Sequence, residues 1–293
     1  LSRRELLQAG VSAAALAVGG PVLAAQMRTR AIARTGEELP VIGMGTWRTF
    51  DTPERAALVE VVRTLFDSGG KVIDSSPMYG RAETTVGEVL KDLGATKRAF
   101  LATKVWTSGR NEGIAQMRDS IRRMGRADLM QIHNLVDWRT HLPTLRSWKE
   151  TGVIRYWGIT HYSLSAFEEM ESIVRAEKPD FVQLPYSVGV READQRLLPA
   201  CASHGVAVLV MRPFEGGSLF AEARKRPLPG WAAEIECTSW AQVFLKFILG
   251  HPAVTCPIPA TTNPAHMADD VRAGFGRLPD EPMRRRIVQE VLG

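Results

Sequence analysis

The sequence predicts an α/β protein folded as one closed (β/α)8 TIM barrel with an N-terminal β-hairpin. Three observations predict it. Eight short apolar runs alternate with amphipathic segments over about 240 residues; strands separated by helices pair in parallel, and eight of them close on themselves. The rival, a doubly wound open sheet, opens on a G-x-G-x-x-G turn. Here the matching stretch is Ile42-Gly43-Met44-Gly45-Thr46-Trp47, which lacks the third glycine and runs into a loop. Finally, the 293 residues are 45% hydrophobic and 24% charged, enough apolar material for one large core. No linker or low-complexity tract divides the body.

Residues 1–25 read as an export segment, apart from the barrel domain at 31–293. Ser2-Arg3-Arg4-Glu5-Leu6-Leu7-Gln8 resembles the twin-arginine (Tat) motif. An alanine-rich apolar run from Val11 to Val18 follows, then a small-residue cleavage candidate at Val22-Leu23-Ala24. The run is too short for a stable membrane span. These features predict a periplasmic protein whose partner is the Tat machinery, without lipid anchoring.

The barrel follows in order. Residues 31–46 read as a hairpin leading into a first strand, Val41 to Thr46. Thr52 is the predicted N-cap of the next helix and Pro53 its first residue. Leu58, Val61, Val62, Leu65 and Phe66 make its apolar face, and Gly69-Gly70 ends it. Strands are then predicted at 71–74, 99–104, 128–132, 154–159, 180–184, 206–211 and 254–258. The helices between and after them are predicted at 83–93, 111–124, 141–151, 165–177, 192–204, 239–249 and 264–274. The loop from Glu215 to Thr238 is long for a compact domain and is a candidate lid.

Chemistry gathers where strands end. The strand at 71–74 runs into Asp74, with Tyr79 five residues later. The next ends in Lys104 and the third in His133. A closed barrel brings such C-terminal ends together at one mouth. A phenol with a pKa near 10 is a poor proton donor at neutral pH, but a neighbouring ammonium lowers that pKa. A shift of about 3 units corresponds to about 4 kcal/mol. Asp74 beside Lys104 keeps the ammonium charged and fixed, and His133 is placed to hydrogen-bond a substrate oxygen. The set suits protonation of a carbonyl oxygen as a hydride reaches the carbon.

At these residues the chain resembles the aldo/keto reductases over about residues 35 to 275. The family's Asp, Tyr, Lys and His fall on Asp74, Tyr79, Lys104 and His133. Gly43-Met44-Gly45-Thr46-Trp47 resembles its first-strand signature. Gly158-Ile159-Thr160-His161-Tyr162-Ser163 resembles its G-V-S-N-F-S segment. Gln183-Leu184-Pro185-Tyr186-Ser187 resembles its Q-x-x-Y-(N/S) strand end, and Ile258-Pro259-Ala260-Thr261-Thr262-Asn263-Pro264 resembles its I-P-G-T-T-N-P segment.

The resemblance implies NADP, with NAD possible, as cofactor and a small carbonyl compound as substrate. It implies contacts to the nicotinamide carboxamide from Thr160, His161 and Gln183, and further cofactor contacts from Gly45 and Thr46. His161 stands where the family has asparagine, and a neutral imidazole offers one donor. Met211 stands where an aromatic side chain often stacks on the nicotinamide. Thr261, Thr262, Asn263 and His266 fall on the phosphate-binding segment. Asn263 suits an N-cap and Pro264 a first helical position, and a helix start attracts anions. Ala260 and His266 replace cations that many relatives place around the adenosine 2′-phosphate.

Other readings find less support. The net charge of +5 is scattered apart from Arg284-Arg285-Arg286, which reads as a solvated helix face and not a nucleic-acid patch. Cys201, Cys237 and Cys256 lack metal-ligand spacing, and an odd count predicts no disulfide framework. A barrel lyase or isomerase without a nucleotide would need a metal cluster or another acid/base pair, and the sequence offers neither. The alternative from another class is a non-catalytic nucleotide-binding sensor or interaction module on the same barrel, as in channel-associated β-subunits. Substrate specificity rests on loops near Trp47, Trp106 and 215–238, and Trp47 and Trp106 are candidate walls of an apolar pocket.

Overall fold

Alternate side chains of eight short strands converge on one axis, and that axis organises the molecule. The structure is a computed structural model that describes residues 26–223 and 225–293. The predicted twin-arginine segment, residues 1–25, lies outside the described residues. The hairpin pairs β1 (Thr29–Ala31) with β2 (Glu38–Pro40), antiparallel, with Arg30 opposite Leu39. It starts two residues before the predicted 31 and leaves a first barrel strand, β3, of only Met44–Gly45.

The other barrel strands are β4 (Val72–Asp74), β5 (Phe100–Val105), β6 (Leu129–His133), β7 (Tyr156–Thr160), β8 (Phe181–Pro185), β9 (Ala207–Met211) and β10 (Cys256–Pro257). Each pairs in parallel with its neighbours in chain order. The barrel closes where Gly43 N–H donates to Pro257 O at 3.1 Å and Gly45 N–H to Pro259 O at 2.9 Å. The closing strands are short because Pro257 and Pro259 have no N–H to extend the ladder. The seam is also tight. A Cβ on Gly43 would lie 2.8 Å from Val72 Cβ and 3.1 Å from Cys256 Sγ.

Inside, Val72, Phe100, Ala102, Leu129, Tyr156, Phe181, Leu209 and Cys256 form one cluster with Ile32 and Leu39 of the hairpin. The hairpin therefore plugs the N-terminal end of the barrel. Arg30 ties it there by donating to the carbonyls of Leu249, His251 and Val254. Two residues further along each strand the side chain faces inward again. On β4, β5, β6 and β8 those positions are polar, with Asp74 after Val72, Lys104 after Ala102, Gln131 and then His133 after Leu129, and Gln183 after Phe181; β7 has Gly158 there and β9 Met211.

The outer ring is α1 (Ala56–Asp67), α2 (Ala82–Asp92), α3 (Arg110–Met124), α4 (Trp138–Glu150), α5 (Phe167–Glu177), α6 (Leu197–Ser203), α7 (Ser218–Ala223), α8 (Trp240–Leu249), α9 (Pro264–Arg272) and α10 (Glu281–Leu292). The predicted apolar face of α1 is buried, from Leu58 to Phe66. Its predicted start is wrong: Arg55 is the N-cap. Thr52 Oγ1 instead accepts from Glu54 N–H at 3.1 Å, and Thr52 O accepts from Thr85 Oγ1 at 3.0 Å. Residues 51–55 thus stay a turn fastened to α2. The predicted helix at 192–204 divides into a 3-10 turn, Glu192–Asp194, and α6.

The arginine triplet on α10 also departs from expectation. Arg285 and Arg286 are solvated, but Arg284 is 6% exposed. It donates to Tyr186 Oη, to Phe247 O at 3.2 Å and to Glu281 at 2.8 Å. A helix face that sequence alone read as solvated packs one of its cations against α8. The candidate lid carries α7 and a 3-10 turn, Gly230–Ile235. Its end is pinned by Lys246 of α8, which is 1% exposed and donates to Ile235 O at 2.6 Å and Arg277 O at 3.0 Å. All three cysteines are buried. Among the described residues no helix is long and apolar enough to cross a membrane.

Candidate active site

A buried ion pair lies at the centre of the barrel mouth. Asp74 ends β4 and Lys104 lies near the end of β5, and both are almost wholly buried. Lys104 Nζ donates to Asp74 Oδ2 at 2.6 Å and to Ser75 O at 2.7 Å. The other carboxylate oxygen, Oδ1, accepts from Gln183 Nε2 at 2.9 Å and Gln131 Nε2 at 3.1 Å. Burial pulls the Lys104 pKa down, but Asp74 and Tyr79 outweigh it and hold the ammonium above its ordinary value. The cation therefore keeps its charge in a place where an unpaired lysine loses it.

Tyr79 sits on the loop after β4, half-buried, with Lys104 Nζ 5.1 Å from its ring centroid. The expected fall in its pKa does not result. Burial raises it and Asp74 adds to the rise, and together they outweigh the pull of Lys104, leaving the phenol above its ordinary value. His133 ends β6, and its ring meets Tyr79 edge-on with centroids 6.0 Å apart. Burial, then Lys104, then His161 depress its pKa to about 3. The ring is neutral, with Nδ1 3.1 Å from Ser76 Oγ. When Ser76 donates, the ring proton lies on Nε2. The four predicted residues thus come together, as a neutral phenol and a neutral imidazole beside a buried ion pair.

Beside them lies a second group. Thr160 Oγ1 donates to Gln183 Oε1 at 3.2 Å, so β7 and β8 share one polar cluster with Asp74. His161 Nδ1 accepts from Ser163 N–H at 2.9 Å. Burial lowers the His161 pKa, with Glu169 and the Ser163 contact opposing. The one proton of the neutral ring then lies on Nε2, which leaves a donor where the resemblance implies an asparagine amide. Met211 ends β9, part-buried, and packs against the barrel interior.

Thr46 is drawn inward, donating to Asp74 O at 3.0 Å and Ser75 Oγ at 2.9 Å, so it braces the loop that carries Tyr79. Gly45 is pinned to Pro259 at the seam. On the far side of β10, Asn263 Oδ1 caps α9 by accepting from Ala265 N–H at 2.9 Å, with Pro264 in the first turn, as predicted. Thr261 Oγ1 lies 3.4 Å from His266 Nδ1, and Thr262 is exposed.

Three residues of this site were not singled out from sequence. Ser75 supplies a carbonyl to Lys104 and Ser76 a hydroxyl to His133. Gln131 faces Asp74; the signal was strand alternation, since Gln131 lies two residues before His133. A further contact fastens the candidate lid: Glu215 accepts from Ser187 Oγ and from Gly189 N–H at 3.0 Å. Trp47 and Trp106 stand exposed at the mouth, Trp106 with its ring 6.4 Å from His133. Among the described residues no group of three His, Cys, Asp or Glu side chains is placed to hold a metal ion.

Comparison with known proteins gives a consistent picture. The Aldo/keto reductase family model matches residues 41–287. Methylglyoxal reductase YeaE of Escherichia coli (strain K12) is 28% identical over 254 residues, covering 82% of this chain and 88% of that protein. A probable voltage-gated potassium channel subunit beta of Oryza sativa subsp. japonica is 25% identical over 230 residues, 69% of each chain. An aldo/keto reductase from Klebsiella pneumoniae, solved in complex with NADP and acetate, superposes with TM-score 0.77 at 21% identity. The match covers 92% of this chain and 96% of that one, and shows the shared barrel fold.

Proposed function

The chain belongs to the aldo/keto reductase family, and on that footing we propose that it reduces an aldehyde or ketone to an alcohol with NADPH, Tyr79 giving the proton. The observation that carries this reading is the buried Asp74–Lys104 pair, 2.6 Å apart, with its ammonium beside the Tyr79 ring. The Tyr79 phenol is protonated at neutral pH, and burial and Asp74 make it a weaker acid, so the opposing pull of Lys104 is what favours proton release. Lys104 then stabilises the phenolate as the proton leaves, and Asp74 holds Lys104 in place. His133, neutral, orients the carbonyl oxygen through Nε2–H.

The donor set also fits a nicotinamide. Thr160, His161 and Gln183 offer hydroxyl, imidazole and amide groups to a carboxamide, and Met211 offers an apolar surface for the ring. The capped start of α9, with Thr261, Thr262, Asn263 and His266, suits the phosphates. When bound, the cofactor supplies the hydride, and the protein supplies position and electrostatics. Because Ala260 and His266 bring no fixed cation, the preference for NADP over NAD is modest, about tenfold or about 1.4 kcal/mol. Tryptophan quenching on titration with NADPH and NADH measures it; a preference of about a thousandfold or more would mean that a cationic 2′-phosphate ligand supplements these residues. The mouth is apolar: Trp47, Met78, Trp106, Tyr162 and Leu164 are exposed on the loops after β3, β4, β5 and β7. That rim suits a substrate with an apolar body.

Turnover of a generic aromatic aldehyde separates this reading from a nucleotide-binding sensor. Tyr79→Phe is expected to abolish the reduction while leaving NADPH binding nearly intact; near-full turnover would remove Tyr79 from the acid's role. For location, the reading from Ser2-Arg3-Arg4 is export to the periplasm by the twin-arginine route. Lysine at both Arg3 and Arg4 should hold the protein in the cytoplasm, and unchanged periplasmic recovery would refute export by that route.

A further inference from the structure

We infer that Gln131 is a positioning residue for the proposed reduction, holding the Asp74 carboxylate so that Lys104 can serve Tyr79. The inference rests on the reductase reading above. Three donors surround Asp74: Lys104 Nζ on Oδ2 at 2.6 Å, and the amides of Gln183 and Gln131 on Oδ1 at 2.9 and 3.1 Å. The two amides are not equivalent. Gln183 has a second partner, Thr160, at 3.2 Å, and both lie in the proposed nicotinamide cradle. A bound carboxamide therefore competes for the Gln183 amide. Gln131 has no second duty, so its N–H stays on Asp74 when the cradle fills.

What Gln131 gives up to be there supports the assignment. It is wholly buried, and its Oε1 has no hydrogen-bond partner among the described residues. A buried amide oxygen without a partner is costly, and an aliphatic side chain of similar shape avoids that cost. The surroundings are cut to fit the amide. Gly158 on the next strand leaves room for it: a Cβ there would lie 3.3 Å from Gln131 Cγ and 2.7 Å from Phe181 O. What the side chain provides in return is one donor to a carboxylate. That donor fixes the carboxylate plane and spreads part of its charge.

The groups that share this field are Lys104, Tyr79 and His133, with His161 beyond His133. Removing the Gln131 donor exposes Tyr79 to more of the Asp74 charge, and a nearby negative charge makes a phenol hold its proton more tightly. The alkaline limb of the rate profile should then move to higher pH.

The test uses the full chain, NADPH and 4-nitrobenzaldehyde. Gln131→Leu should lower kcat about tenfold, the loss expected for one hydrogen bond to a charged group. The aldehyde KM and the NADPH Kd should change by less than about twofold, and the alkaline limb of kcat should shift upward. Gln131→Glu should recover activity at acid pH, where its protonated carboxyl can donate to Asp74. As it ionises against Asp74, activity should fall below that of Gln131→Leu. Wild-type kcat and pH profile in Gln131→Leu would overturn the inference. So would a kcat loss that only tracks a lowered Tm with no shift of the limb. If Gln131→Leu fails to fold, the pH dependence of Gln131→Glu decides alone. Tyr79→Phe runs in parallel. Should it keep turnover, Tyr79 is not the acid and this inference falls with that role; no turnover by the unaltered chain sinks the reductase reading itself, and an inactive Tyr79→Phe beside a fully active Gln131→Leu sinks only the inference.

Discussion

Lys104 and Lys246 are equally hidden, at 0% and 1% exposure, yet their surroundings push them in opposite directions. Lys104 faces a carboxylate at 2.6 Å, and its pKa is raised despite burial. Lys246 has no paired carboxylate among the described residues: it donates to the carbonyls of Ile235 and Arg277, and burial lowers its pKa against the weaker opposing pull of Cys237 and Glu236. Carbonyl dipoles orient an ammonium, but they do not replace a counterion. The first lysine is therefore a fixed charge for chemistry. The second is a staple that fastens the end of the candidate lid to the loop before α10. Burial alone would not have told the two apart.

The largest effect expected is that of Lys104→Met. It leaves Asp74 buried without its cation, which should cost about 3–5 kcal/mol of stability. Carbonyl reduction should fall by about a hundredfold or more at a temperature where the variant is folded. Urea unfolding and aldehyde turnover measure the two separately. Near-wild-type values in both would erase the distinction between the lysines. Lys246→Met should be milder: two carbonyls lose a donor, at about 1–3 kcal/mol. Proteolysis of the 215–238 loop should quicken while kcat at saturating substrate holds, and a collapse of kcat would place Lys246 in the chemistry instead.

pH sharpens the contrast, because the two lysines carry opposite signs. The raised Lys104 gives stability that is full below the unfolded value near 10.5 and is lost as pH climbs through its folded value. The lowered Lys246 acts the other way. Between its folded value and 10.5 the unfolded chain binds the extra proton, so stability rises with pH there. In melting curves between about pH 8 and 10.5 the rise in stability that Lys246 supplies should be missing in Lys246→Met, and above about 10.5 the alkaline loss should be smaller in Lys104→Met; the reverse would contradict the assigned directions.

His133 acts on the acid side. Its folded pKa of about 3 lies below the ordinary 6.5, so the unfolded chain binds the extra proton between those values. Stability should fall as pH drops through that window, by at most about 1.4 kcal/mol per unit from this group. His133→Gln should shallow that slope, and an imidazole titrating near 6.5 by NMR would show that the ring is not held neutral.

Much of this site was legible because strand ends carry their own markers. Asp74, Lys104 and His133 each follow an apolar run that stops abruptly, and a barrel of eight units brings such stops together. The N-cap at Asn263 was legible for a local reason, since Asn-Pro at a helix start needs nothing from the rest of the chain. Thr52-Pro53 offered the same kind of signal and misled, because a contact with Thr85 on α2 holds it as a turn. Arg284 misled in another way: neighbouring arginines look alike in sequence, and only the packing of α10 on α8 selects one for burial. The sign of the Tyr79 shift was also out of reach. It depends on how far burial outweighs one nearby ammonium, and local sequence does not carry that balance.

The hairpin plug has a consequence in time. Arg30 is held by the carbonyls of Leu249, His251 and Val254, and Gly43 and Gly45 close the barrel on Pro257 and Pro259. The earliest described strands are thus completed by nearly the last, and contacts so distant along the chain form slowly. A growing polypeptide cannot seal its barrel on the ribosome until residues near 259 have emerged. Until then the hairpin lacks its seat, and Ile32 and Leu39 lack the interior that buries them.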